Sequence, residues 1–257
     1  MIPLMEVFCS VQGEGSSAGN ISVFIRFGGC NFQCNGFKVE YKDPRTGETK
    51  FGCDSFYSVD TGFKHNWNFV ETFEEIVDMV DAVMPKYPKA VLTKPDIVIT
   101  GGEPTLYWKN TEFQKLLAYY VSRNHEVTIE TNASREIKFH RDYQRKIKFS
   151  MSVKLAVSGE PEHKRINIDA ITNIMENAPK SYLKFVVGKD GIEESEKEID
   201  AILKEIPAYC DVYLMPLGGT MDTLSYNAQS VIELCIKKGF KYSDRLHIRI
   251  WSDKKGV

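Results

Sequence analysis

The chain has 257 residues, of which 42% are hydrophobic, and its formal net charge is −2. This size supports one substantial core or at most two small domains, and the interspersed charges argue against a nucleic-acid surface. No apolar run approaches the roughly 20 residues of a membrane span, and residues 1–6 lack the basic and apolar regions of a signal peptide. We therefore expect a cytoplasmic protein with reduced cysteines and no membrane partner.

Short apolar runs alternate with helical patterns along the chain. Strands are predicted at 21–27, 96–100, 126–130, 147–153, 182–187, 212–215 and 246–251. Helices are predicted at 73–84, 113–121, 166–175, 199–206 and 225–238, the last closed by Gly239 as its C-cap. Strand followed by helix, repeated about six times, implies parallel strands with crossover helices. We expect an α/β fold that closes fully or partly into a barrel.

Polar or glycine-rich motifs directly follow most of the predicted strands. They are Gly28-Gly29-Cys30, Gly101-Gly102-Glu103, Thr131-Asn132, Lys154 and Pro216-Leu217-Gly218-Gly219. In parallel barrels the chemistry lies at the C-terminal ends of the strands, and core strands have no need of such residues on one common edge. The sequence therefore predicts a functional site at this edge.

Three cysteines, Cys30, Cys34 and Cys53, cluster after the first of these strands, and Cys53 comes nineteen positions after Cys34. They are candidate ligands of an iron–sulfur cluster, or of zinc with His65 as a fourth ligand, or they are unrelated thiols. Residues 35–52 are polar and rich in turn formers, and we interpret them as a loop inserted in the cysteine motif. The remaining cysteines lie in or beside apolar runs and are expected to be buried thiols.

Two glycine-rich motifs suit a ligand but also have simpler explanations. In Thr100-Gly101-Gly102-Glu103-Pro104, the glycines permit close approach of the backbone and Glu103 could accept hydrogen bonds from an amine; an ordinary strand-to-turn junction is the alternative. In Gln12-Gly13-Glu14-Gly15, the amide and carboxylate suit a flat, amide-rich heterocycle, whereas a hairpin turn is the alternative.

Two single residues also stand out. Arg26 lies in an apolar strand, where a guanidinium needs a carboxylate, from either a ligand or the protein. His247 lies in the last predicted strand and is expected to be structural.

Taken together, these residues resemble the 7-carboxy-7-deazaguanine synthase family, which belongs to the radical S-adenosylmethionine (SAM) superfamily and to queuosine and 7-deazapurine biosynthesis. The matching segments run in order along the chain at 7–15, 24–31, 53–55, 99–104, 129–132, 183–187 and 245–247. The resemblance implies one radical SAM domain over 1–257, built as a partial, modified (βα)6 barrel with an inserted loop at about 35–52. It also favours the iron–sulfur reading of the three cysteines.

The family's reaction is a lyase reaction in which 6-carboxy-5,6,7,8-tetrahydropterin loses ammonia and contracts to 7-carboxy-7-deazaguanine. The resemblance implies a reduced [4Fe–4S] cluster that cleaves SAM to a 5′-deoxyadenosyl radical, which takes a hydrogen atom from carbon 6 of the pterin. The protein supplies binding, orientation and exclusion of side reactions. An electron donor such as flavodoxin or ferredoxin, Mg²⁺ and a homodimer are implied in the same way.

The resemblance carries over to individual residues by position. The cluster ligands would be Cys30, Cys34 and Cys53, and Mg²⁺ on the substrate carboxylate would meet Ser55. The pterin site would be lined by Val11, Gln12, Gly13, Glu14, Arg26, Thr100 and, through its carboxylate, Val257. SAM would contact Gly102, Ser152, Val153, Lys154, Met215, Pro216, Leu217 and Gly218.

The chain departs from the family pattern at four places. Ser55 replaces a threonine but keeps the hydroxyl oxygen that a hard cation prefers. Val153 replaces a proline, and Met215 replaces a glutamine, so that only backbone contact is expected there. The insertion lies in the second cysteine interval, whereas other members lengthen the first.

Two other functions compete with this one. A non-catalytic zinc-binding module explains the cysteines but not the glycine motifs at the strand ends, and it would be colourless where an iron–sulfur protein is brown. A radical activase of another protein would consume SAM without any need for a pterin.

Overall fold

The computed structural model describes residues 1–88, 90–91, 93–207, 209–252, 254 and 256. Its strands are β1 (Ile2–Val11), β2 (Ile21–Phe27), β3 (Val39–Lys42), β4 (Thr49–Gly52), β5 (Asn68–Val70), β6 (Asp96–Gly101), β7 (Val127–Thr131), β8 (Lys148–Ser152), β9 (Tyr182–Val187), β10 (Val212–Pro216) and β11 (Lys241–Tyr242). Its α-helices are α1 (Phe56–Val59), α2 (Phe73–Val83), α3 (Thr111–Ser122), α4 (Glu162–Arg165), α5 (Ile168–Asn177), α6 (Ile192–Glu205), α7 (Met221–Lys238) and α8 (Leu246–Trp251). None of these described helices is long and apolar enough to cross a membrane.

A nine-stranded sheet in the order β11-β10-β9-β8-β7-β6-β2-β1-β5 organises the chain. The run from β2 through β6 to β11 is parallel, whereas β1 pairs antiparallel with both β2 and β5. The sheet is open, with β5 and β11 at its two edges. The prediction of an α/β fold with a partial barrel of six main parallel strands is therefore confirmed.

The core lies between one face of this sheet and the helices. Strand residues such as Ile25, Ile99 and Ile129 are fully buried and share one cluster with helix residues such as Ile76 and Leu116. Because side chains alternate along a strand, the residues between them point to the opposite, enclosed face of the sheet. That face is free of this apolar cluster and can hold polar groups.

Several predicted elements have the bounds or ends that the sequence pattern indicates. The strands at 21–27 and 182–187 keep the predicted bounds. Helix α7 ends at Lys238, and Gly239 follows it with φ +69°, a left-handed conformation that glycine adopts without strain. Helix α3 begins after Asn110, whose side chain accepts the backbone N–H groups of Glu112 and Phe113.

The prediction of a strand at 246–251 is wrong, because this segment is helix α8. The sequence Leu-His-Ile-Arg-Ile-Trp alternates, which favours a strand on period alone. In the structure, however, β11 occupies the edge beside β10 through Tyr213 and Leu214. Only Ile248 of α8 is buried, so the alternation of apolar residues does not reflect a buried strand face.

The segment predicted to be an inserted loop contains the antiparallel hairpin β3–β4. Asp43 is 2% exposed and binds Arg45 and Lys50, at 2.9 and 2.5 Å. Lys50 also lies 3.1 Å from Asp60, which accepts a hydrogen bond from Tyr41. These contacts attach the hairpin to the chain that follows Cys53.

Candidate active site

Polar side chains from neighbouring parallel strands meet on the enclosed face of the sheet, near its C-terminal edge. Arg26 of β2 is the register partner of Thr100 of β6. The Thr100 hydroxyl donates to Glu130 Oε2 of β7 at 2.8 Å, and Lys184 lies on the same face of β9, 4% exposed. The polar edge expected from the sequence is therefore present.

The loop between β1 and β2 folds across this face and lies against β7 and β9. Gln12 Nε2 donates to Glu130 Oε1 at 3.3 Å, and Glu14 Oε2 lies 2.6 Å from Lys184 Nζ. At the end of this stretch, the backbone N–H of Gly15 donates to Ser243 at 2.8 Å. The Gln-Gly-Glu-Gly motif thus forms a surface of the site, although it also belongs to the connection of two antiparallel strands.

Glu14 is the electrostatic centre of this group. Its second oxygen lies 3.0 Å from Arg245 Nε, so that two cations share one carboxylate. Burial alone would raise the pKa of Glu14, but the Lys184 ammonium and the Arg245 guanidinium hold it well below its usual range. Glu14 is therefore ionised at any physiological pH. The sequence identified Glu14 but gave no sign of either cation as its partner.

Arg245 connects the site to the cysteine region. Its Nη1 donates to the carbonyl of Gly218 at 2.6 Å, and its Nη2 lies 2.6 Å from Asp54, next to Cys53. The matched segment at 245–247 marked this residue only through the family resemblance. Nothing in the sequence around Arg245 predicts that its guanidinium meets three separate acceptors, namely Glu14, the Gly218 carbonyl and Asp54.

His247 packs against the glycine loop. A Cβ placed on Gly13 would stand 2.0 Å from His247 Nδ1, so no larger residue fits at position 13 without displacing the ring. Burial lowers the pKa of His247, against the opposing effect of the Glu14 carboxylate. The imidazole is therefore neutral at pH 7, at the border of the site where the sequence predicted only a structural residue.

Arg26 has a protein partner, as one of the two sequence-based interpretations required. Its Nε lies 2.8 Å from Glu6, its register partner on β1, and its Nη1 donates to the Ser55 hydroxyl at 3.3 Å. The guanidinium also lies 5.7 Å from the centre of the Tyr57 ring. Arg26 is thus held in a fixed position beside Ser55, the residue proposed to meet a metal ion.

The cysteines Cys30, Cys34 and Cys53 lie close enough for their charges to act on one another, with Cys34 buried and the other two half-buried. Burial first, and then the neighbouring charges of Glu103, Cys34 and Cys53, raise the pKa of Cys30. Burial and the charges of Asp54 and Cys34 raise the pKa of Cys53 to about 12. Thiols that resist ionisation become thiolates when a metal compensates their charge. The donor set therefore fits an iron–sulfur group.

No three Cys, His, Asp or Glu side chains among the described residues are already arranged to hold a metal ion. His65, the candidate fourth zinc ligand, uses its Nδ1 on the carbonyl of Gly62 at 3.0 Å, within its own turn.

Glu160 fixes the loop that carries Cys34. Its Oε1 accepts the backbone N–H groups of Gln33 and Cys34 at 2.5 and 3.0 Å, and Lys164 lies 2.8 Å from its other oxygen. Cys34 itself has φ +52°, a left-handed conformation that is unfavourable for a residue with a side chain. The contact spans more than 120 positions of sequence, and nothing local in the sequence predicts it.

The structure favours the strand-to-turn alternative for Glu103. Its side chain is fully buried, and its carboxylate accepts hydrogen bonds from Thr105, Thr131 and the backbone N–H of Asn132, the last two at 2.7 Å. It therefore joins the loops after β6 and β7 instead of facing a ligand amine. A Cβ on Gly102 would stand 2.0 Å from the Gly29 carbonyl oxygen, so this glycine lets the loop approach the cysteine loop.

Apart from Gly102, which follows β6, the residues expected to contact SAM lie at the ends of β8 and β10. Lys154 Nζ donates to Ser152 at 2.9 Å, whereas Val153 is buried in the core. Met215 and Pro216 close β10. The carbonyl of Leu217 accepts from Asn227 at 2.7 Å, and that of Gly218 accepts from Arg245 at 2.6 Å.

Two of the residues expected to line the pterin site need separate mention. Val11 is the last residue of β1 and precedes Gln12 directly. Val257 lies outside the described residues, so its predicted contact with the substrate stays a prediction.

The known proteins that this chain is similar to agree with one another in name and fold. No model of a protein family matches the chain. The 7-carboxy-7-deazaguanine synthase of Halobacterium salinarum is 30% identical over 98% of this chain and 91% of its own length. The enzyme of the same name from Rhodopirellula baltica is 28% identical over 99% and 88%. The crystal structure of QueE from Escherichia coli superposes with a TM-score of 0.61 at 22% identity, covering 96% of this chain and 94% of that one, and shows the same fold.

Proposed function

Because this chain belongs to the 7-carboxy-7-deazaguanine synthase family, we propose that it converts 6-carboxy-5,6,7,8-tetrahydropterin to 7-carboxy-7-deazaguanine. The overall change is the loss of one ammonia, with contraction of the pyrazine ring. It is neither an oxidation nor a reduction of the substrate as a whole. The substrate is thus a small bicyclic molecule with a flat pyrimidine ring and amide edge at one end and a carboxylate at the other.

The central support is the ionised Glu14 carboxylate, held between Lys184 and Arg245 beside the Gln12–Glu130–Thr100 hydrogen bonds. A pterin presents adjacent N–H groups on its pyrimidine edge, and a charged carboxylate is the acceptor that best matches them. Glu14 and Glu130 supply two such acceptors. We place the pyrimidine edge against this group.

The substrate carboxylate then faces Arg26. This guanidinium is already oriented by Glu6 and by the adjacent Tyr57 ring, so little side-chain freedom is lost when it binds an anion. Mg²⁺ would join the same carboxylate to the Ser55 hydroxyl, since this ion takes oxygen ligands and keeps several waters. The half-exposed Asp54 carboxylate, 3.4 Å from Ser55 Oγ, makes the position more favourable for a cation.

Cys30, Cys34 and Cys53 would hold a [4Fe–4S] cluster with one open iron. Together with SAM, this group would supply the one-electron chemistry by which a hydrogen atom is removed from carbon 6 of the substrate. The chain's own residues bind and orient. Ser152, Lys154 and the backbone at Met215 to Gly218 would position SAM between the cysteines and Glu14, and Arg245 spans the same interval through Gly218 and Asp54.

Two partners complete the proposal. The reaction needs one electron to start, and we propose a small redox protein of the flavodoxin or ferredoxin class as its source. We further propose a homodimer, by analogy with the family.

The proposal is tested by anaerobic incubation of the brown protein with the carboxytetrahydropterin, SAM, Mg²⁺ and dithionite, with chromatographic detection of the deazaguanine. Product should form with SAM recovered, because the hydrogen atom returns to 5′-deoxyadenosine. Glu14→Gln should lower kcat/KM at least a hundredfold while iron content stays at the wild-type value. SAM consumption without pterin would instead indicate a protein substrate, and wild-type turnover by Glu14→Gln would refute the pyrimidine-edge assignment.

A further inference from the structure

Arg165 is a buried arginine to which the proposed function assigns no role. It ends the short helix α4, and its side chain is 4% exposed. A buried guanidinium is unfavourable unless its N–H groups and its charge have partners. Those partners therefore show which parts of the fold Arg165 holds together.

The guanidinium binds two backbone carbonyls of the chain that follows β8. Its Nε donates to the Glu160 carbonyl at 3.0 Å, and its Nη1 donates to the Lys154 carbonyl at 2.9 Å. The Glu198 carboxylate of α6 balances the charge and also accepts the backbone N–H of Ala156 at 2.9 Å. Because the donors of a guanidinium have a fixed planar geometry, these contacts fix both ends of the segment 154–160 at once.

The Glu160 end of this segment holds the loop that carries Cys34. The residue whose carbonyl meets Arg165 uses its carboxylate on the backbone N–H of Cys34, at 3.0 Å. The two stretches of chain also touch directly, because a Cβ on Gly36 would stand 2.2 Å from the Val157 carbonyl oxygen. A displacement of the segment 154–160 would therefore move the chain around Cys34.

The other end of the segment is Lys154, a residue of the proposed SAM site. Its Nζ donates to Ser152 at 2.9 Å and lies 5.8 Å from the centre of the Phe37 ring. Phe37 belongs to the turn that directly follows Cys34. One guanidinium thus connects a proposed SAM contact, through the Lys154 carbonyl, with a proposed cluster ligand, through Glu160.

This connection matters for the chemistry that SAM and the cluster would perform together. The cysteines fix the position of the cluster, whereas other residues fix the position of SAM beside its open iron. A misplacement of roughly 1 Å between reacting groups can lower a rate about a hundredfold. Two sites that must keep such a distance need a rigid link in the protein.

We propose that Arg165 is a positioning residue that holds the SAM contact at Lys154 in a fixed place relative to the cluster ligand Cys34. It acts through the backbone of Lys154 and Glu160. The identity of the two bound groups rests on the proposed function. The coupling itself rests on the contacts that Arg165 and Glu160 make.

The test is electron paramagnetic resonance of the reduced, cluster-loaded protein during titration with SAM, without pterin. A ligand on the open iron changes the signal of the cluster, so the titration reports both affinity and geometry. Arg165→Lys keeps the charge beside Glu198, but its single nitrogen cannot occupy the positions of both Nε and Nη1. We expect at least tenfold weaker affinity for SAM and an altered signal, at wild-type iron content. The matched control is Arg145→Lys, an exposed arginine that binds Asn177, and it should behave as wild type.

Glu198→Gln separates positioning from stability. It removes the charge partner of Arg165 but leaves the guanidinium on both carbonyls, and its amide oxygen can still accept the Ala156 N–H. Its melting temperature should fall while the SAM titration stays at the wild-type value. The double variant Arg165→Gln/Glu198→Gln leaves neither buried charge unpaired and should reproduce the tenfold loss, including the case in which Arg165→Lys fails to keep its cluster.

Wild-type affinity and signal in both Arg165 variants would overturn the inference. An equal loss of affinity in Glu198→Gln would also overturn it, because the role of Arg165 would then be structural, and so would loss of the cluster in both Arg165 variants. Turnover separates this inference from the proposed function. In Arg165→Lys the KM for SAM should rise at least tenfold and the KM for the pterin should stay within twofold. If wild type forms no deazaguanine while the Arg165 variants still lose SAM affinity, the proposed reaction is wrong and the positioning role stands.

Discussion

Glu14 Oε2 and Lys184 Nζ lie 2.6 Å apart, although 170 positions of sequence separate the two residues. Both side chains are largely buried, at 14 and 5% exposure. A buried pair of this kind is weak evidence for stability as such, because desolvation offsets the attraction. Its value here lies in fixing a charged acceptor at one point of the site, where Arg245 completes the charge balance.

We predict that Lys184→Met destabilises the fold by about 3–5 kcal/mol, because it leaves a buried carboxylate with one cation in place of two. The double variant Glu14→Gln/Lys184→Met should lose less stability than the sum of the two single variants, since the uncompensated charge is gone. Urea unfolding followed by circular dichroism measures all three.

The matched control is Lys237→Met, which breaks the exposed Lys237–Glu196 pair at the same kind of distance, 2.8 Å. Its stability should hardly change, because exposed pairs are screened by water. Strict additivity of the two site substitutions would show that Glu14 and Lys184 act independently and would remove the basis of this prediction.

The cysteines give the second prediction. Cys30→Ala, Cys34→Ala and Cys53→Ala should each lose the cluster or its reactivity, since each removes one of three thiolate ligands. Cys9→Ala, Cys210→Ala and Cys235→Ala serve as controls and should keep the wild-type content of iron and acid-labile sulfide. Cys235 is buried, and its thiol donates to the Lys241 carbonyl. A folded but iron-free Cys235→Ala protein would contradict the ligand assignment.

The third prediction concerns the support of the cysteine loop. Glu160→Ala should leave the fold intact but release the backbone N–H groups of Gln33 and Cys34, so that Cys34 is no longer held in its left-handed conformation. We expect the cluster to be lost to a chelator several times faster than in wild type, measured by the decay of visible absorbance.

The control for this loop is Glu162→Ala, an exposed acidic residue two positions further on, which should not alter the rate. If Glu160→Ala and Glu162→Ala lose the cluster at the wild-type rate, the carboxylate is not what orders the loop.

These contacts show where sequence reasoning succeeds. The strand at 182–187 is predicted correctly from its apolar run, and the position of Gly102 after β6 follows from the glycine-rich motif that ends the predicted strand. Hydrophobic periodicity and turn-forming residues are local properties of the sequence, so they identify the strands and helices and the edge of the sheet at which the site lies. The sequence also places Cys30 at that edge, and it marks Gln12 and Glu14 as a possible ligand motif without indicating their partners.

Sequence reasoning misses the features that depend on contacts between residues far apart in the chain. Lys184 looks like an interruption of an apolar strand until Glu14 is placed beside it. Glu103 looks like a ligand group until Thr131 and Asn132 are found to occupy its oxygens. The helix at 246–251 has a strand-like alternation, but β11 takes the sheet edge and Arg245 anchors the helix start in the site. No local pattern encodes such long-range choices.

The fourth prediction concerns the inserted hairpin. Shortening residues 42–48 should cost less activity than any change of a cluster cysteine, because the hairpin contributes none of the proposed ligands. It should nevertheless lower the melting temperature, since Asp43 is the buried anion that holds Arg45 and Lys50. Asp43→Ala should reproduce that loss of stability, whereas Glu48→Ala, at an exposed position, should not.

Loss of pterin binding in the shortened protein would show instead that the hairpin is part of the substrate pocket. The binding measurement is anaerobic fluorescence quenching by the pterin, with the cluster content checked in the same samples.

The fifth prediction concerns Mg²⁺ at Ser55. The Ser55 hydroxyl accepts from Arg26 at 3.3 Å and lies 3.4 Å from Asp54, so it stands where a substrate carboxylate bound to Arg26 would come within reach of a shared cation. One hydroxyl is a weak ligand, but Mg²⁺ usually takes only one or two protein oxygens and completes its shell with water and substrate. Ser55→Ala should therefore weaken the stimulation of turnover by Mg²⁺ and leave the iron content unchanged.

Ser55→Thr is the matched control, because it keeps the oxygen, and it should retain the wild-type Mg²⁺ dependence. If Ser55→Ala shows the wild-type dependence at saturating pterin, another group holds the ion and the assignment of Ser55 is wrong.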